Sequence, residues 1–265
     1  MKAGQKINMK YLIIGAGGTG GVTGYYMKKA GKDVTLIARG EHLKKIQKQG
    51  LTLEKMWDKT EENISIPATD MEHYAEHPDV IFVCVKGYSL QETIPFIKRI
   101  ARKNTIVIPV LNIYGTGGKM QKELPDLLVT DGCIYVSANI KEPGKLLQHG
   151  QILHIVFGVR DKAEFRPELK EIQKDLCDSH IDGTLSENIR REALEKFSYV
   201  SPIGAAGLYY HATAADFQKE GEARELFKTM IKEIAALAEA MGVPFQEDMA
   251  EVNLKILSNI APEAT

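Results

Sequence analysis

The sequence predicts an α/β protein that becomes all-helical toward its C-terminus. Three observations carry that expectation. Apolar strands alternate with helical runs through the first part of the chain. A glycine-rich turn joins the first strand to the first helix, and from about Ser186 the strand-like runs stop while Ala, Leu, Glu and Lys recur at helical spacing.

The first element is the short apolar strand Tyr11-Leu12-Ile13-Ile14, and the six residues after it, Gly15-Ala16-Gly17-Gly18-Thr19-Gly20, fit G-x-G-x-x-G. A helix over 22–29 follows, Gly31-Lys32-Asp33 ends it, and 34–38 reads as the second strand. A whole βαβ unit therefore surrounds the glycines, which is the context dinucleotide binding requires. Gly15 is expected to make the tight turn, Gly17 to let the backbone approach a pyrophosphate at the helix N-terminus, and Gly20 to let helix and strand pack closely. This assigns 1–185 as a Rossmann-type domain. A site for NAD usually places Asp or Glu at the end of the second strand to accept from the ribose 2′-hydroxyl; here Arg39 stands there and cannot accept. Arginine can instead clamp a 2′-phosphate, and a hydrogen bond to a charged group contributes about 1.5–3 kcal/mol, or roughly tenfold or more in affinity. NADP(H) is the expected cofactor, with a solvated Arg39 as the alternative.

Further strands are expected near 80–85, 105–110 and 133–137, and 145–157 reads as a hairpin turning at His149-Gly150, an antiparallel extension of the sheet. The helical domain, 186–265, opens on a helix with Ser186 as N-cap, Glu187 in the first turn, and Ile189, Ala193, Phe197 and Val200 as an apolar stripe. A later helix carries Ala223, Phe227, Met230, Ile234, Leu237 and Met241 at helical spacing and stops at Gly242 and Pro244. On the first of these helices Lys196 falls about 20° from Ile189, inside the stripe. One reading is a stem packed on the stripe with its ammonium reaching solvent or pairing with Glu192. The other is an ammonium aimed into a cleft between the domains, where a carbonyl being reduced needs a proton donor.

Composition narrows the class. The chain has 265 residues, a formal net charge of −1 and 44% hydrophobic residues, a balance that gives nucleic acid nothing to bind. Cys84, Cys133 and Cys177 form no C-x-x-C pair and read as free thiols in a reducing compartment. No signal-peptide core or membrane span precedes the glycines, so a soluble cytoplasmic protein is expected. His73 and His77 have the spacing of a helical metal pair, but Pro78 ends any helix there and no third ligand is evident, so no metal is expected. Gly117-Gly118-Lys119-Met120 lacks the spacing and the Ser or Thr of a phosphate-binding loop.

Several segments together, in order and spacing, resemble the ketopantoate reductase (2-dehydropantoate 2-reductase) family over nearly the whole chain. They are the glycine-rich turn, Ile37-Ala38-Arg39-Gly40-Glu41-His42, Val85-Lys86-Gly87-Tyr88, Val110-Leu111-Asn112, Lys141-Glu142-Pro143-Gly144 and Glu195-Lys196-Phe197. The resemblance implies an N-terminal domain binding NADPH, a helical domain closing over it, and hydride transfer to the C2 ketone of 2-dehydropantoate, giving pantoate for pantothenate synthesis. It implies that Lys196 is the catalytic lysine, that Asn112 lies near cofactor and substrate, and that Lys86 contacts the cofactor. Gly15, Ala16, Gly17, Gly18, Thr19 and Gly20 would hold the pyrophosphate, and Arg39 the 2′-phosphate.

The chain departs from the family pattern at three places. Asn112 is followed by Ile113 where many members have glycine. Val200 and Gly204 stand where many members place substrate-binding asparagines; Ser201 could supply a hydroxyl to substrate there, with Pro202 kinking the helix. The sequence stops at Thr265, whereas the family continues through a helix bearing a serine and a glutamate of the site; if the chain is cut, NADPH binding with weak or absent turnover is expected. The expected partner is a small 2-oxo acid, with no nucleic acid and no membrane, and a homodimer is an allowed assembly. Two alternatives stay open: a reductase of another 2-oxo acid, and a non-catalytic NADP(H)-binding protein.

Overall fold

A computed structural model describes residues 9–263. They form two compact units, which meet in the chain between Ile189 and Arg190. The first is built on a six-stranded sheet in which every pairing is parallel, formed by β1 (Lys10–Ile14), β2 (Asp33–Ile37), β5 (Ala68–Thr69), β6 (Val80–Val83), β7 (Ile106–Pro109) and β8 (Leu128–Val129). Their spatial order is β5-β2-β1-β6-β7-β8, so the chain moves outward one way from β1 and then the other. That reversal beside β1 is where open α/β sheets collect ligands.

The central strands are apolar without interruption because both of their faces are covered. Tyr11 and Ile13 join one core with Phe82 and Ile108, while Leu12 and Ile14 join another with Ile81, Val83 and Val107. Alternate residues thus fill opposite faces, as the two-residue strand period dictates. The helices α1 (Gly18–Lys29), α2 (Gly40–Gln49), α3 (Leu90–Ile100), α4 (Thr116–Glu123) and α5 (Glu168–Asp178) complete the unit. Lys32 is buried yet satisfied, its ammonium 2.5 Å from Asp175, which also accepts from the Tyr11 hydroxyl at 2.6 Å.

A second sheet, which the sequence does not announce, runs β11-β10-β3-β4, with β9 also paired to β10. Its members are β3 (Leu51–Lys55), β4 (Thr60–Ile64), β9 (Asp131–Glu142), β10 (Lys145–Gly158) and β11 (Asp182–Leu185). The expected hairpin at His149-Gly150, and its place as an extension of the first sheet, are both corrected here. β10 runs unbroken through those residues, and the turn falls at Pro143-Gly144, between β9 and β10. The reason is conformational: Gly144 has φ +81°, whereas Gly150 is not among the glycines in the left-handed region, and the 149–150 region becomes an irregularity in register between Gln148 and Leu153.

The second unit holds α6 (Ile189–Tyr210), α7 (Ala214–Gln218), α8 (Glu222–Ala240) and α9 (Met249–Leu257) around Ala206, Phe217, Phe227, Ile231 and Leu257. Three readings of the helices are corrected. Helix α6 begins at Ile189, so Ser186 lies outside the cap position, although its hydroxyl accepts the Asn188 N–H at 3.0 Å. Its most buried positions within the unit are Leu194, Ser198, Pro202 and Ala206, whereas Ala193, Phe197 and Val200 of the expected stripe are half-buried. In α8 the buried set is Ala223, Phe227, Ile231 and Ala238, leaving Leu237 48% exposed. The packed face is set by what lies against it: the buried Asn253 of α9 donates to the Ser198 hydroxyl at 3.1 Å, so the Ser198 side of α6 and not the expected stripe meets the core. Helix α6 continues through Pro202 as one helical segment.

Candidate active site

Four adjacent strands, in the order β2, β1, β6, β7, end side by side, since Ile14 pairs with Ile37 and with Val83, and Val83 with Pro109. Just past those ends come Arg39, the glycine turn, Lys86 and Asn112. At about 4.8 Å per strand spacing, the row from the Arg39 strand to the Asn112 strand is roughly 14 Å long. The structure therefore brings the residues expected to bind the cofactor in this unit together along one carboxyl edge.

The three motif glycines differ physically. Gly15 has φ +104°, and a Cβ there would lie 2.9 Å from the Cys84 carbonyl oxygen. At Gly20 a Cβ would lie 2.1 Å from the Gly15 oxygen and 2.8 Å from the Cys84 Cβ, so α1 is pressed against β1 and β6. Around Gly17 no atom lies within 4 Å of that position. Gly17 is also the N-cap of α1 and provides no side-chain cap, so the first-turn N–H groups are left for an incoming acceptor. Gly18 is crowded from another side: its Cβ would meet the Ala138 oxygen of β9 at 2.1 Å.

Arg39 is exposed at the N-cap of α2. Lys86 is exposed ahead of the short turn Gly87–Ser89, and Asn112 is exposed after β7. Ile113, the departure from the family pattern, lies over Gly87, where a Cβ would come 2.3 Å from its Cδ1. Burial of the thiol pushes Cys84 up to about 12, which makes it no nucleophile at neutral pH. Sequence reasoning missed His42, whose Nε2 donates to the Ala16 carbonyl at 2.9 Å. Its signal was its place three residues after Arg39. Among the described residues no group of three or more His, Cys, Asp or Glu side chains could hold a metal ion; His73 turns to Asp70, and His77 donates to the Ile100 carbonyl.

In the helical unit Lys196 is half-buried on α6. At 100° per residue, Val200 and Gly207 fall within about 40° of it, whereas Ser201 falls about 140° away. Lys196 and Ser201 therefore do not share a helix face. Neighbouring Glu195 has its carboxyl pushed up by burial, with Arg191 opposing and Glu192 and Glu247 adding to the effect. Beyond Lys196 lies a cavity of about 680 Å³ lined by Tyr199, Ile203, Gly204, Gly207 and Leu208 of α6 and by Phe217 among others.

Residues 11–162 match the family described as ketopantoate reductase PanE/ApbA, and 188–265 match its C-terminal region. The chain belongs to the ketopantoate reductase family. It is an oxidoreductase of that type. It is 30% identical to a 2-dehydropantoate 2-reductase of Pyrococcus horikoshii over 74% of this chain and 64% of that protein, and 21% identical to the oxidoreductase YkpB of Bacillus subtilis over 96% and 82%. A ketopantoate reductase from Ralstonia eutropha shares the fold with a TM-score of 0.85 at 21% identity, covering 97% of this chain and 83% of that one. A D-mandelate dehydrogenase solved with NADH and anilino(oxo)acetate gives 0.83 at 21% identity, covering 97% and 81%. A dimeric ketopantoate reductase from Staphylococcus aureus gives 0.80 at 21% identity, covering 97% and 82%.

Proposed function

We propose that this protein is an NADPH-dependent reductase of the C2 ketone of 2-dehydropantoate, giving pantoate, and that it works in the cytoplasm, with a homodimer as its allowed assembly. The observation that carries the reading is the row along the carboxyl edge: a cation, an open glycine turn at a helix N-terminus, a second cation and an amide on four neighbouring strands. The open space at Gly17 fits a pyrophosphate, and the exposed guanidinium of Arg39 fits a 2′-phosphate.

When bound, the nicotinamide supplies the hydride. The protein's part is positional and electrostatic. First-turn amides of α1 hold the pyrophosphate, Arg39 holds the 2′-phosphate, and Lys86 and Asn112 orient the reacting end. Lys196 carries a proton on Nζ and gives it to the C2 oxygen as negative charge develops there. In this reading Lys196→Ala lowers kcat by about 10²–10⁴-fold while NADPH affinity stays near wild type. A variant with near-normal turnover would remove Lys196 from the chemistry.

A second reading, reduction of a 2-oxo acid with a larger apolar side chain, is favoured by the cavity beside α6. Val200, Gly204 and Gly207 follow Lys196 without a polar side chain, and no atom lies within 4 Å of a Cβ built at Gly204. Such a site rewards apolar area, with Tyr199, His211 and Thr213 as the polar side chains of its lining. Following NADPH absorbance with 2-dehydropantoate, 4-methyl-2-oxopentanoate and phenylglyoxylate separates the readings by relative kcat/KM. NADPH binding without oxidation by any of the three would favour the non-catalytic NADP(H)-binding reading over both.

A further inference from the structure

His42 stands between the cofactor turn and the second sheet. Its Nε2 is 2.9 Å from the Ala16 carbonyl oxygen, and the Gly144 N–H donates to its Nδ1 at 3.0 Å. A carbonyl can only accept and a backbone N–H can only donate, so the two contacts require one state: neutral imidazole, protonated on Nε2. Burial holds the ring's pKa below its usual value, which agrees with that state.

The consequence lies one bond away. The Ala16 carbonyl and the Gly17 N–H belong to the same planar trans peptide and point in opposite directions. Fixing the carbonyl toward α2 fixes the Gly17 N–H away from it, at the glycine whose surroundings are open. We propose that His42 is a positioning residue for cofactor binding: it locks the Ala16–Gly17 peptide so that the Gly17 N–H is presented to the pyrophosphate. Gly144, at the tip of the β9–β10 hairpin, in turn holds the ring, so the second sheet braces the cofactor turn of the first. This rests on the dinucleotide reading of the glycine turn and adds a residue outside the glycine motif.

Asparagine and glutamine separate the two contacts. Asn places its amide near the position of Nδ1 and can keep the Gly144 bond but not reach Ala16; Gln places an N–H near the position of Nε2 and can keep the Ala16 bond. The probes are NADPH and 2′-AMP, which offers the 2′-phosphate but no pyrophosphate, each titrated by calorimetry, with a thermal melt on every variant. His42→Asn is expected to weaken NADPH about tenfold with 2′-AMP unchanged within twofold, and His42→Gln to recover NADPH affinity to within about threefold of wild type. Equal losses for both ligands, wild-type NADPH affinity in His42→Asn, or a His42→Gln as weak as His42→Asn would each overturn the proposal. If His42→Asn does not fold, the Gln variant decides: near-wild-type NADPH affinity supports the Ala16 contact, and a tenfold loss in a folded protein overturns it. Wild-type protein that binds 2′-AMP but not NADPH defeats the dinucleotide reading itself.

Discussion

Replacing Gly17 and Gly20 separately by alanine tests the cofactor turn, because one added methyl group should have opposite consequences three residues apart. At Gly20 the new Cβ would sit 2.1 Å from the Gly15 carbonyl oxygen, 2.8 Å from Cys84 Cβ and 2.9 Å from Ile13 Cγ2. None of these is the end of a long side chain, and Gly15 is itself anchored by its N–H to the Ile37 carbonyl at 3.0 Å. Overpacking of this kind costs about 1–3 kcal/mol. For a unit of this size that is a fall in Tm of roughly 2–12 °C. At Gly17 the methyl meets nothing within 4 Å, and φ −78°, ψ −163° suits alanine. Reduced freedom of the unfolded chain then adds about 0.4–1 kcal/mol of stability, so Tm should hold or rise slightly. The same methyl occupies the space through which a pyrophosphate approaches, and Gly17→Ala should weaken NADPH at least about tenfold, or 1.4 kcal/mol. Calorimetric melting and NADPH fluorescence titration read the two effects. A Gly20→Ala protein melting with wild type would refute the packing argument; a Gly17→Ala protein binding NADPH normally would refute the cofactor argument.

Arg39→Asp should weaken NADPH by tenfold or more and NADH far less, measured by titrating both; an equal loss for both would make Arg39 structural. Asp175→Ala should cost about 3–5 kcal/mol in urea unfolding, because it leaves the buried Lys32 ammonium to the more distant Asp178 at 3.4 Å; a cost below about 1 kcal/mol would show that Asp178 suffices. Cys177 is exposed whereas Cys84 is half-buried and burial of its thiol pushes its pKa up, so Cys84 supplies far less thiolate at pH 8. Brief alkylation with mass mapping should label Cys177 first, and equal labelling of Cys84 would contradict its burial. Acidification through the depressed pKa of His42 should destabilise the first unit: the neutral ring's contribution is complete above the unfolded value near 6.5 and is lost as pH falls through the lower folded value. Comparing the pH dependence of unfolding between pH 5 and 7 for wild type and His42→Gln checks this, and parallel curves would exclude it.

Local signals carried the elements on which the cofactor reading depends. The strand at Tyr11, the glycine turn and Arg39 are contiguous, and their chemistry is set by backbone geometry within a few residues. The hairpin was misplaced because His149-Gly150 and Pro143-Gly144 are both plausible turns by composition. Only the pairing of β10 with β3 and β9 chooses between them. The stripes of α6 and α8 were readable as amphipathic, yet their buried edges depend on what packs there. His42 escaped notice because its partners, Ala16 and Gly144, are 26 and 102 residues away in sequence.

By itself the sequence determined an α/β chain with a dinucleotide turn, an arginine where an acid would specify NAD, and a helical segment bearing Lys196, because propensity, period and turn chemistry are local. Tertiary structure decided which glycine is open and which is packed, that Arg39, the turn, Lys86 and Asn112 share one edge, and that His42 bonds both the turn at Ala16 and the backbone at Gly144. Those are consequences of parallel strand order and long-range contact, which no window of sequence contains.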